Sequence, residues 1–217
     1  MKRDSVLECA SPLALWKSWV VESARGLAHS KTCRRGGRFL GREIPKPKFL
    51  PELFMPTVIY QVGDDLSTDV IYPGRYMATV LPTETPQYAF ADDAEFNGKL
   101  RAKQIPAESV IVAGKNFGCG SSREQAASTL KGYELVIVAK SFARIFLQNA
   151  VNLGLRLITV PTIEAKMGDE LEVLANRVRN VTTGKEFEVV PLPKARQAIV
   201  DAGGLIAYTK KRLLSGN

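Results

Sequence analysis

Two adjacent serines and an arginine, Ser121, Ser122 and Arg123, lie in a glycine-rich turn and are the residues best suited to chemistry. A short apolar run precedes this turn and a segment with helical spacing follows it, so a strand would deliver the turn to the start of a helix. Ser121 and Glu124 have the serine-to-glutamate spacing of a capping box at that helix start. Free N–H groups and the positive end of the helix dipole would bind an anion beside Arg123, and they could stabilise a serine alkoxide. The glycines of the turn can take positive φ angles and let the backbone approach a ligand closely. They are Gly114, Gly118 and Gly120.

The sequence of the turn excludes several other functions that glycine-rich turns have. No Gly-Lys-Ser or Gly-Lys-Thr closes the segment, so it is not a Walker loop, and its glycine spacing differs from the dinucleotide fingerprint. The Gly-x-Ser-x-Gly pattern of a nucleophile elbow is also missing from it. The chain has one histidine, His29, distant in sequence, which argues against a Ser-His-Asp triad. Taken alone, the turn could still be only a tight connection.

Three segments of the chain resemble one family of enzymes. Residues 114–126 are similar to a signature of the aconitase family, which includes the swivelling C-terminal domain of aconitase and the small subunits of isopropylmalate dehydratase and homoaconitase. Residues 63–74 resemble the family's Asp-x-x-x-Thr-Asp-x-Ile-x-Pro segment, and residues 139–155 resemble a third block. Because the blocks occur in the family's order, the chain is identified as a member that most resembles the isopropylmalate dehydratase small subunits.

The resemblance implies an α/β fold, the compact β/β/α swivelling domain of the aconitase family. It implies a small subunit of a two-subunit hydro-lyase that isomerises 2-isopropylmalate and 3-isopropylmalate by dehydration and rehydration in leucine biosynthesis. In this family a [4Fe–4S] cluster takes the hydroxyl, and its three cysteine ligands lie on another domain. The cysteines of this chain, Cys9, Cys33 and Cys119, form no Cys-x-x-Cys pair, and one histidine does not complete a zinc site. We therefore expect no cofactor on this chain and the cluster on a large partner subunit.

The matching positions suggest roles in the site. Ser121 matches the general base, which would act as an alkoxide, and Asp69 matches an acid that orients catalytic groups across the domain interface. Ser122 and Arg123 match residues that contact the substrate carboxylate. The simpler alternatives are helix capping for Ser121, a surface ion pair for Arg123 and a turn residue for Asp69. Positioning of the loop is expected of its three glycines and of Lys115 and Asn116.

Substrate choice in the family depends on the segment that follows the Pro73-Gly74 turn. Members that accept homoisocitrate-type acids have an arginine there, whereas isopropylmalate enzymes have apolar residues. Tyr76 and Met77 would form an apolar wall suited to an isopropyl group, although Arg75 precedes them. The alternatives are the small subunit of a homoaconitase or other 2-hydroxyacid dehydratase, or a non-catalytic RNA-binding module.

Apolar and β-branched runs predict the elements that must position these residues. Strands are expected at 58–62, 110–113, 135–139 and 156–160, and helices at 124–132 and 142–153. Residues 63–73 are expected to form a polar loop. The second helix should carry a core stripe of Ile145, Phe146, Asn149 and Leu153. Three further strands are predicted within 170–190, with a turn at Thr183-Gly184, and a terminal helix should run from 193 to 202.

Composition separates residues 1–50 from a globular domain at 51–217. The 217 residues are 45% hydrophobic and 24% charged, as in ordinary globular proteins, and no apolar run is long enough for a membrane span. The net charge of +8 is concentrated in residues 1–50, which hold eleven basic and four acidic side chains. This basic leader has the arginine content of a targeting segment, but an unstructured extension or an early start codon is the alternative we favour.

Charge and cysteine content predict the binding partners and the cellular compartment of the chain. Residues 51–217 are nearly neutral, so we expect no nucleic-acid partner and no membrane contact. Three scattered cysteines suit a reducing compartment, which predicts a cytoplasmic location unless the leader directs the chain to an organelle.

Overall fold

The computed structural model describes residues 55–215, which form two β-sheets, six α-helices and two short 3-10 helices, Gly74–Tyr76 and Thr85–Tyr88. A parallel sheet has four strands in chain order: β1 (Val58–Gln61), β2 (Val110–Ala113), β3 (Val136–Ala139) and β4 (Arg156–Thr159). An antiparallel sheet has three: β5 (Leu171–Val173), β6 (Arg177–Asn180) and β7 (Glu186–Glu188). The helices are α1 (Thr68–Ile71), α2 (Ala94–Arg101), α3 (Gln125–Gly132), α4 (Arg144–Leu153), α5 (Lys194–Asp201) and α6 (Leu205–Leu214). No helix in this part of the chain is long and apolar enough to cross a membrane.

Both faces of the parallel sheet are buried, as expected for parallel strands. The central strands β2 and β3 have the same sequence, Val-Ile-Val-Ala, and every residue in them is buried. Because side chains alternate between faces, Ile111 and Ala113 pack into one hydrophobic core while Val110 and Val112 pack into another. The sheet therefore separates two cores, and its strands are held rigidly from both sides.

Each core has a different cover. Helices α3 and α4 follow β2 and β3 and pack on one face, where Ala126, Leu130, Phe146 and Ala150 join the first core. The antiparallel sheet covers the other face with Leu171, Val173, Val178 and Phe187. The resulting three layers of helices, parallel sheet and small sheet confirm the predicted α/β class and the β/β/α arrangement.

The predicted strands and the two central helices are confirmed to within about two residues at each end, the usual uncertainty of such boundaries. The turn at Thr183-Gly184 is also confirmed, with Gly184 at a φ of 74°. The predicted helix at 193–202 corresponds to α5 and ends before Gly203 and Gly204, but it is not terminal because α6 follows.

Three other expectations are wrong. Residues 63–73 are not only a polar loop, because they contain helix α1 and the buried side chains of Ile71 and Tyr72. Helix α2 was not predicted, although Phe96 and Leu100 anchor it in the first core. The stripe predicted for α4 is right for Phe146, which is buried, and for Leu153, which packs on the first core, but Ile145 is exposed and Ala150 and Val151 are buried instead. The prediction that residues 1–50 form a separate leader lies outside the described residues.

A buried polar contact ties the turn before β5 to the turn after β6. Oδ2 of Asp169 accepts hydrogen bonds from the Lys166 backbone N–H at 2.8 Å and from Nδ2 of Asn180 at 2.7 Å. Asn180 is fully buried, and its Oδ1 accepts the Thr183 backbone N–H at 3.1 Å. The hydrogen bond from Lys166, followed by that from Asn180, holds the pKa of Asp169 below its ordinary value.

Asp169→Ala should lower the free energy of unfolding at pH 7 by about 1–3 kcal/mol, because the buried Asn180 amide loses its closer acceptor and keeps only the Glu164 carbonyl at 3.4 Å. A lowered folded-state pKa means that the carboxylate stabilises the fold above the ordinary carboxyl pKa of about 3.9, and that this contribution is lost as the pH falls through the lowered value. Urea unfolding at several pH values should therefore show a wild-type-to-variant difference that shrinks below about pH 4.

The exposed Asp201→Ala is the matched control and should change the free energy of unfolding by less than about 0.5 kcal/mol. A wild-type-to-Asp169→Ala difference that stays constant through the acid range would contradict this role of the carboxylate.

Candidate active site

Two loops that are distant in sequence pair side by side at the carboxyl edge of the parallel sheet. Strands β1 and β2 are parallel neighbours, so the chain leaves both at the same edge. The pairing continues past the strands: the Gly118 N–H donates to the Leu66 carbonyl, and the Thr68 N–H donates to the Cys119 carbonyl, both at 2.8 Å. The loop after β1 and the loop after β2 are thereby held in fixed register.

The third segment of the resemblance meets the same loops. Ser141 follows β3, and its hydroxyl accepts the Asn116 backbone N–H at 2.9 Å while its carbonyl accepts the Phe117 N–H at 3.0 Å. Nδ2 of Asn116 donates to Oδ1 of Asp65 at 2.7 Å, and the Lys115 N–H donates to Oδ1 of Asp64 at 2.7 Å. All three segments that resemble the family therefore converge on one edge of the sheet.

Each of the three glycines of the turn is required for its own structural reason. Gly118 and Gly120 have φ angles of 80° and 90°, which confirms the predicted positive φ at these two positions. A Cβ atom at position 118 would overlap the ring of Phe146, and one at position 120 would lie 2.9 Å from Oγ of Ser67. Gly114 is required for space, because a Cβ atom there would overlap the carboxylate of Asp64.

Arg123 and Asp69 form an ion pair between the two loops. Nη1 of Arg123 donates to Oδ1 of Asp69, and it also approaches the Tyr72 carbonyl at 3.5 Å. Ser67 caps α1 and accepts the Asp69 backbone N–H at 3.1 Å, which fixes the carboxylate on the first turn of the helix. The arginine side chain is 16% exposed and the aspartate side chain 52% exposed. Nε of Arg123 is buried and has no hydrogen-bond partner among the described residues.

The capping box predicted for Ser121 and Glu124 is wrong. Helix α3 begins at Gln125, and its N-cap is Glu124, with no side-chain hydrogen bond to the helix from the cap residue. Ser121 is held elsewhere: its N–H donates to Oγ1 of Thr68 at 3.0 Å. The loop pairs with residues 66–68 as far as Ser121. Ser121 is therefore held away from the start of α3 and does not cap it. Ser122 is exposed, and its carbonyl accepts Nδ2 of Asn149 at 3.1 Å.

The segment after Pro73 lies beside the ion pair, and its arginine has a partner of its own. A Cβ atom on Gly74 would lie 3.4 Å from Nη2 of Arg123, which places the turn against that guanidinium. Arg75 instead forms an ion pair with Asp92, and its hydrogen bonds hold the pKa of Asp92 below the ordinary value. The ring of Tyr76 stacks on that of Tyr88 with centroids 4.1 Å apart, and Met77 is 44% exposed.

Some residues that hold the site were not singled out from the sequence. Thr68 and Ser67 contact residues 114–124, the loop between β2 and α3 that is called the serine loop below, and Asn149 joins α4 to Ser122. Ser67, just before Thr68 and Asp69, has the composition of a helix N-cap, which is the signal that predicts α1. Thr68 occupies the threonine of the Asp-x-x-x-Thr-Asp-x-Ile-x-Pro segment, which is the signal that points to it, whereas Asn149 acts through a contact across the fold that no local pattern reveals. Cys119 lies in the turn, where its thiol donates to the Asp65 carbonyl at 3.2 Å.

A groove of about 610 Å³ opens on the side of Gly114 that faces the antiparallel sheet. Its lining includes Asp64, Lys140, Ile163 and Lys185. Ser121, Asp69 and Arg123 do not line it, so the groove lies beside these three residues, although Asp64, Gly114 and Lys140 of the three segments form part of its wall.

Comparison with known proteins agrees with the convergence of these segments. A family model described as the aconitase C-terminal domain matches residues 67–162. The 3-isopropylmalate dehydratase small subunit of Thermodesulfovibrio yellowstonii is 41% identical over 161 residues, which cover 71% of this chain and 93% of that protein. The isopropylmalate/citramalate isomerase small subunit of Methanocaldococcus jannaschii is 42% identical over 161 residues, or 71% of this chain and 93% of the relative. A crystal structure of 3-isopropylmalate dehydratase from Methanocaldococcus jannaschii superposes with a TM-score of 0.68 at 38% identity, covering 76% of this chain and 97% of that one.

Gly118→Ala should destabilise the chain more than Gly168→Ala does. Both glycines have positive φ, 80° and 91°, where an alanine costs roughly 1–2 kcal/mol. Only at position 118 would the new methyl group overlap Phe146, whereas no atom lies within 4 Å at position 168. Overpacking should add about 1–3 kcal/mol to the loss in Gly118→Ala, measurable by urea unfolding. Equal decreases in the free energy of unfolding in the two variants would show that the Phe146 ring moves aside without destabilising the fold.

Proposed function

The chain belongs to the family of 3-isopropylmalate dehydratase small subunits, and from that membership we propose that it is one half of a hydro-lyase that interconverts 2-isopropylmalate and 3-isopropylmalate in leucine biosynthesis. The match covers 93% of the length of two curated relatives. The observation that carries the proposal is that the paired loops hold Ser121 on Thr68 and Arg123 on Asp69, two adjacent residues of α1. A large subunit is the implied partner.

The reaction requires three chemical groups, and this chain is proposed to supply two of them. Dehydration needs a base for a weakly acidic C–H, a Lewis acid for the departing hydroxyl and cations for the carboxylates. The described residues contain no group of three or more His, Cys, Asp or Glu side chains that could hold a metal ion. They do not fit a cluster, so we propose that the [4Fe–4S] cluster belongs to the large subunit and supplies the Lewis acid there.

We propose Ser121 as the general base. A serine hydroxyl is too weakly acidic to act unaided, so its anion needs nearby positive charge or donors. The Ser121 N–H already donates to Thr68, and α3 starts only at Gln125, so the helix N-terminus contributes less than the sequence suggests. Arg123, two residues away, is the cation on this loop that is closest to Ser121 in sequence.

Arg123 is proposed to bind a substrate carboxylate. Asp69 engages Nη1 and fixes the guanidinium, and the arginine side chain is still 16% exposed. The arginine is thus held in place by one anion and retains donor capacity for a second, which suits the planar fork of a guanidinium. Ser122, exposed beside it, is proposed as a further contact to the carboxylate.

The segment after Gly74 supports an apolar group on the substrate. Arg75 is paired with Asp92, so its charge is already matched and it does not offer a free cation for an extra carboxylate. Tyr76 and the half-exposed Met77 are then the side chains proposed to contact the isopropyl group. One relative is named for both isopropylmalate and citramalate, so citramalate, with a smaller apolar group, is the informative competitor.

Two further proposals concern the chain as a whole. Residues 51–217 are proposed to be the functional domain, and residues 1–50 an extension that the reaction does not need. A cytoplasmic location, or an organelle reached through the basic leader, stays a prediction.

Reconstitution with the large subunit tests the proposed function. The full chain and a chain of residues 51–217 should each form an active complex, whereas the chain alone should neither turn over isopropylmalate nor bind stoichiometric iron. Turnover of 2-isopropylmalate, citramalate and homoisocitrate-type acids should be compared in the same complex. Failure of the complex to act on any of them, or a stoichiometric cluster on this chain alone, would overturn the proposal.

Ser121→Ala should reduce turnover in the complex by roughly 10²–10⁴-fold, the usual contribution of a positioned base. Stability should change little, because the hydroxyl does not cap α3. The matched control, Ser122→Ala, should raise KM more than it lowers kcat, and Arg123→Lys should impair both because lysine lacks the planar fork. Exchange of the substrate C–H with deuterated solvent reports proton removal directly. Undiminished exchange in Ser121→Ala would exclude this serine as the base.

A further inference from the structure

We infer that Thr68 is a positioning residue for Ser121, an inference that rests on the proposed function of that serine. Thr68 is the first residue of α1 and is fully buried, although its side chain is polar. A buried hydroxyl costs stability unless it makes hydrogen bonds, so its partners identify what it does.

Thr68 contacts the serine loop through three atoms of that loop. Its backbone N–H donates to the Cys119 carbonyl at 2.8 Å. Its Oγ1 accepts the Ser121 N–H at 3.0 Å and lies 3.4 Å from the Ser121 carbonyl, to which the same hydroxyl donates. A hydroxyl both accepts and donates, so one side chain fixes both backbone polar groups of the proposed base.

The serine loop needs this support because neither a strand nor a helix provides it. Ser121 lies beyond the last loop-to-loop backbone bond, at Cys119, and before the start of α3 at Gln125. Gly120 lies between Cys119 and Ser121 and has a φ of 90°. As a glycine it has more backbone conformational freedom than its neighbours. Without the Thr68 hydroxyl, rotation about Gly120 would move Ser121 relative to the rest of the site.

The same threonine sets the separation between the proposed base and the anchored acid. Asp69 follows Thr68 directly on α1 and pairs with Arg123, while Thr68 holds Ser121. Both contacts therefore originate from adjacent residues on one helical turn. Threonine is better suited than serine to this task, because its branched Cβ restricts χ1 and keeps the hydroxyl aimed at the loop.

The test compares two buried threonines in the reconstituted two-subunit enzyme. Thr68→Val removes the hydroxyl with nearly the same shape, and we expect kcat to fall about 10–100-fold with KM within a few-fold of wild type, since small misplacements of reacting groups have effects of that size. Thr129→Val is the matched control: Thr129 is also fully buried, and its hydroxyl donates to the Thr85 carbonyl at 2.8 Å, away from Ser121. It should destabilise the chain but retain kcat.

Thr68→Ser should recover most of kcat, because it restores the hydroxyl. If Thr68→Val does not assemble with the large subunit, Thr68→Ala removes the same hydroxyl without placing a second methyl group against the Ser121 N–H. A kcat in the hydroxyl-free variant equal to that of Thr129→Val would overturn the inference, as would a Thr68→Ser enzyme as slow as the hydroxyl-free one.

Amide hydrogen exchange separates this inference from the proposed function. In the full chain without its partner, the Ser121 N–H should exchange much more slowly than the exposed Ser122 N–H, and the protection should disappear in Thr68→Val but not in Thr129→Val. Loss of protection together with loss of kcat supports the inference. An unprotected Ser121 amide in the wild-type chain would overturn the contact itself, whether or not the complex acts on isopropylmalate.

Discussion

The site depends on one constraint, the pairing of two loops beyond the carboxyl ends of β1 and β2. Parallel neighbours release their chains at the same sheet edge, and here the backbone bonds continue from Leu66 and Thr68 to Gly118 and Cys119. That short extension brings Thr68 to Ser121 and Asp69 to Arg123 across more than fifty residues of sequence. A shift of one residue in the pairing would separate both contacts at once.

The sheet makes this constraint rigid because apolar packing covers both of its faces. The identical Val-Ile-Val-Ala strands place their isoleucines under the helices and their valines under the antiparallel sheet. Closely packed interiors tolerate little displacement, so the strand ends are fixed in position. The packing extends into the loop at Phe146, whose ring occupies the space that a side chain at Gly118 would need. Core and site are therefore continuous, and the glycine turn is held by the core as well as by its own hydrogen bonds.

Sequence patterns predicted the parts of this arrangement that are local. Buried β-branched runs identified β2 and β3, and the glycines at 118 and 120 correctly indicated positive φ. The capping box failed for a non-local reason: Ser121 has the right spacing to Glu124, but Thr68 holds it before the helix can begin. Likewise, the predicted stripe of α4 included both Ile145 and Phe146, yet only Phe146 is buried in the core. Spacing specifies which residues share a face, whereas the tertiary contacts decide which face is covered.

The ion pair explains why the arrangement is suited to act with a partner. A guanidinium that is largely buried requires a counter-charge, and Asp69 provides one from a side chain that is itself half in solvent. The inner side of the ion pair packs toward α1 and Gly74. Its outer side is not covered by residues 55–215, and Asp69, Met77 and the neighbouring Val70 are exposed there. Strong charge-assisted binding of a carboxylate requires that water be excluded from this outer side. Under the proposed function, a large subunit that covers this side would complete the binding site and raise the strength of the Arg123 contacts in the same step, which would give a physical reason for dividing the reaction between two chains.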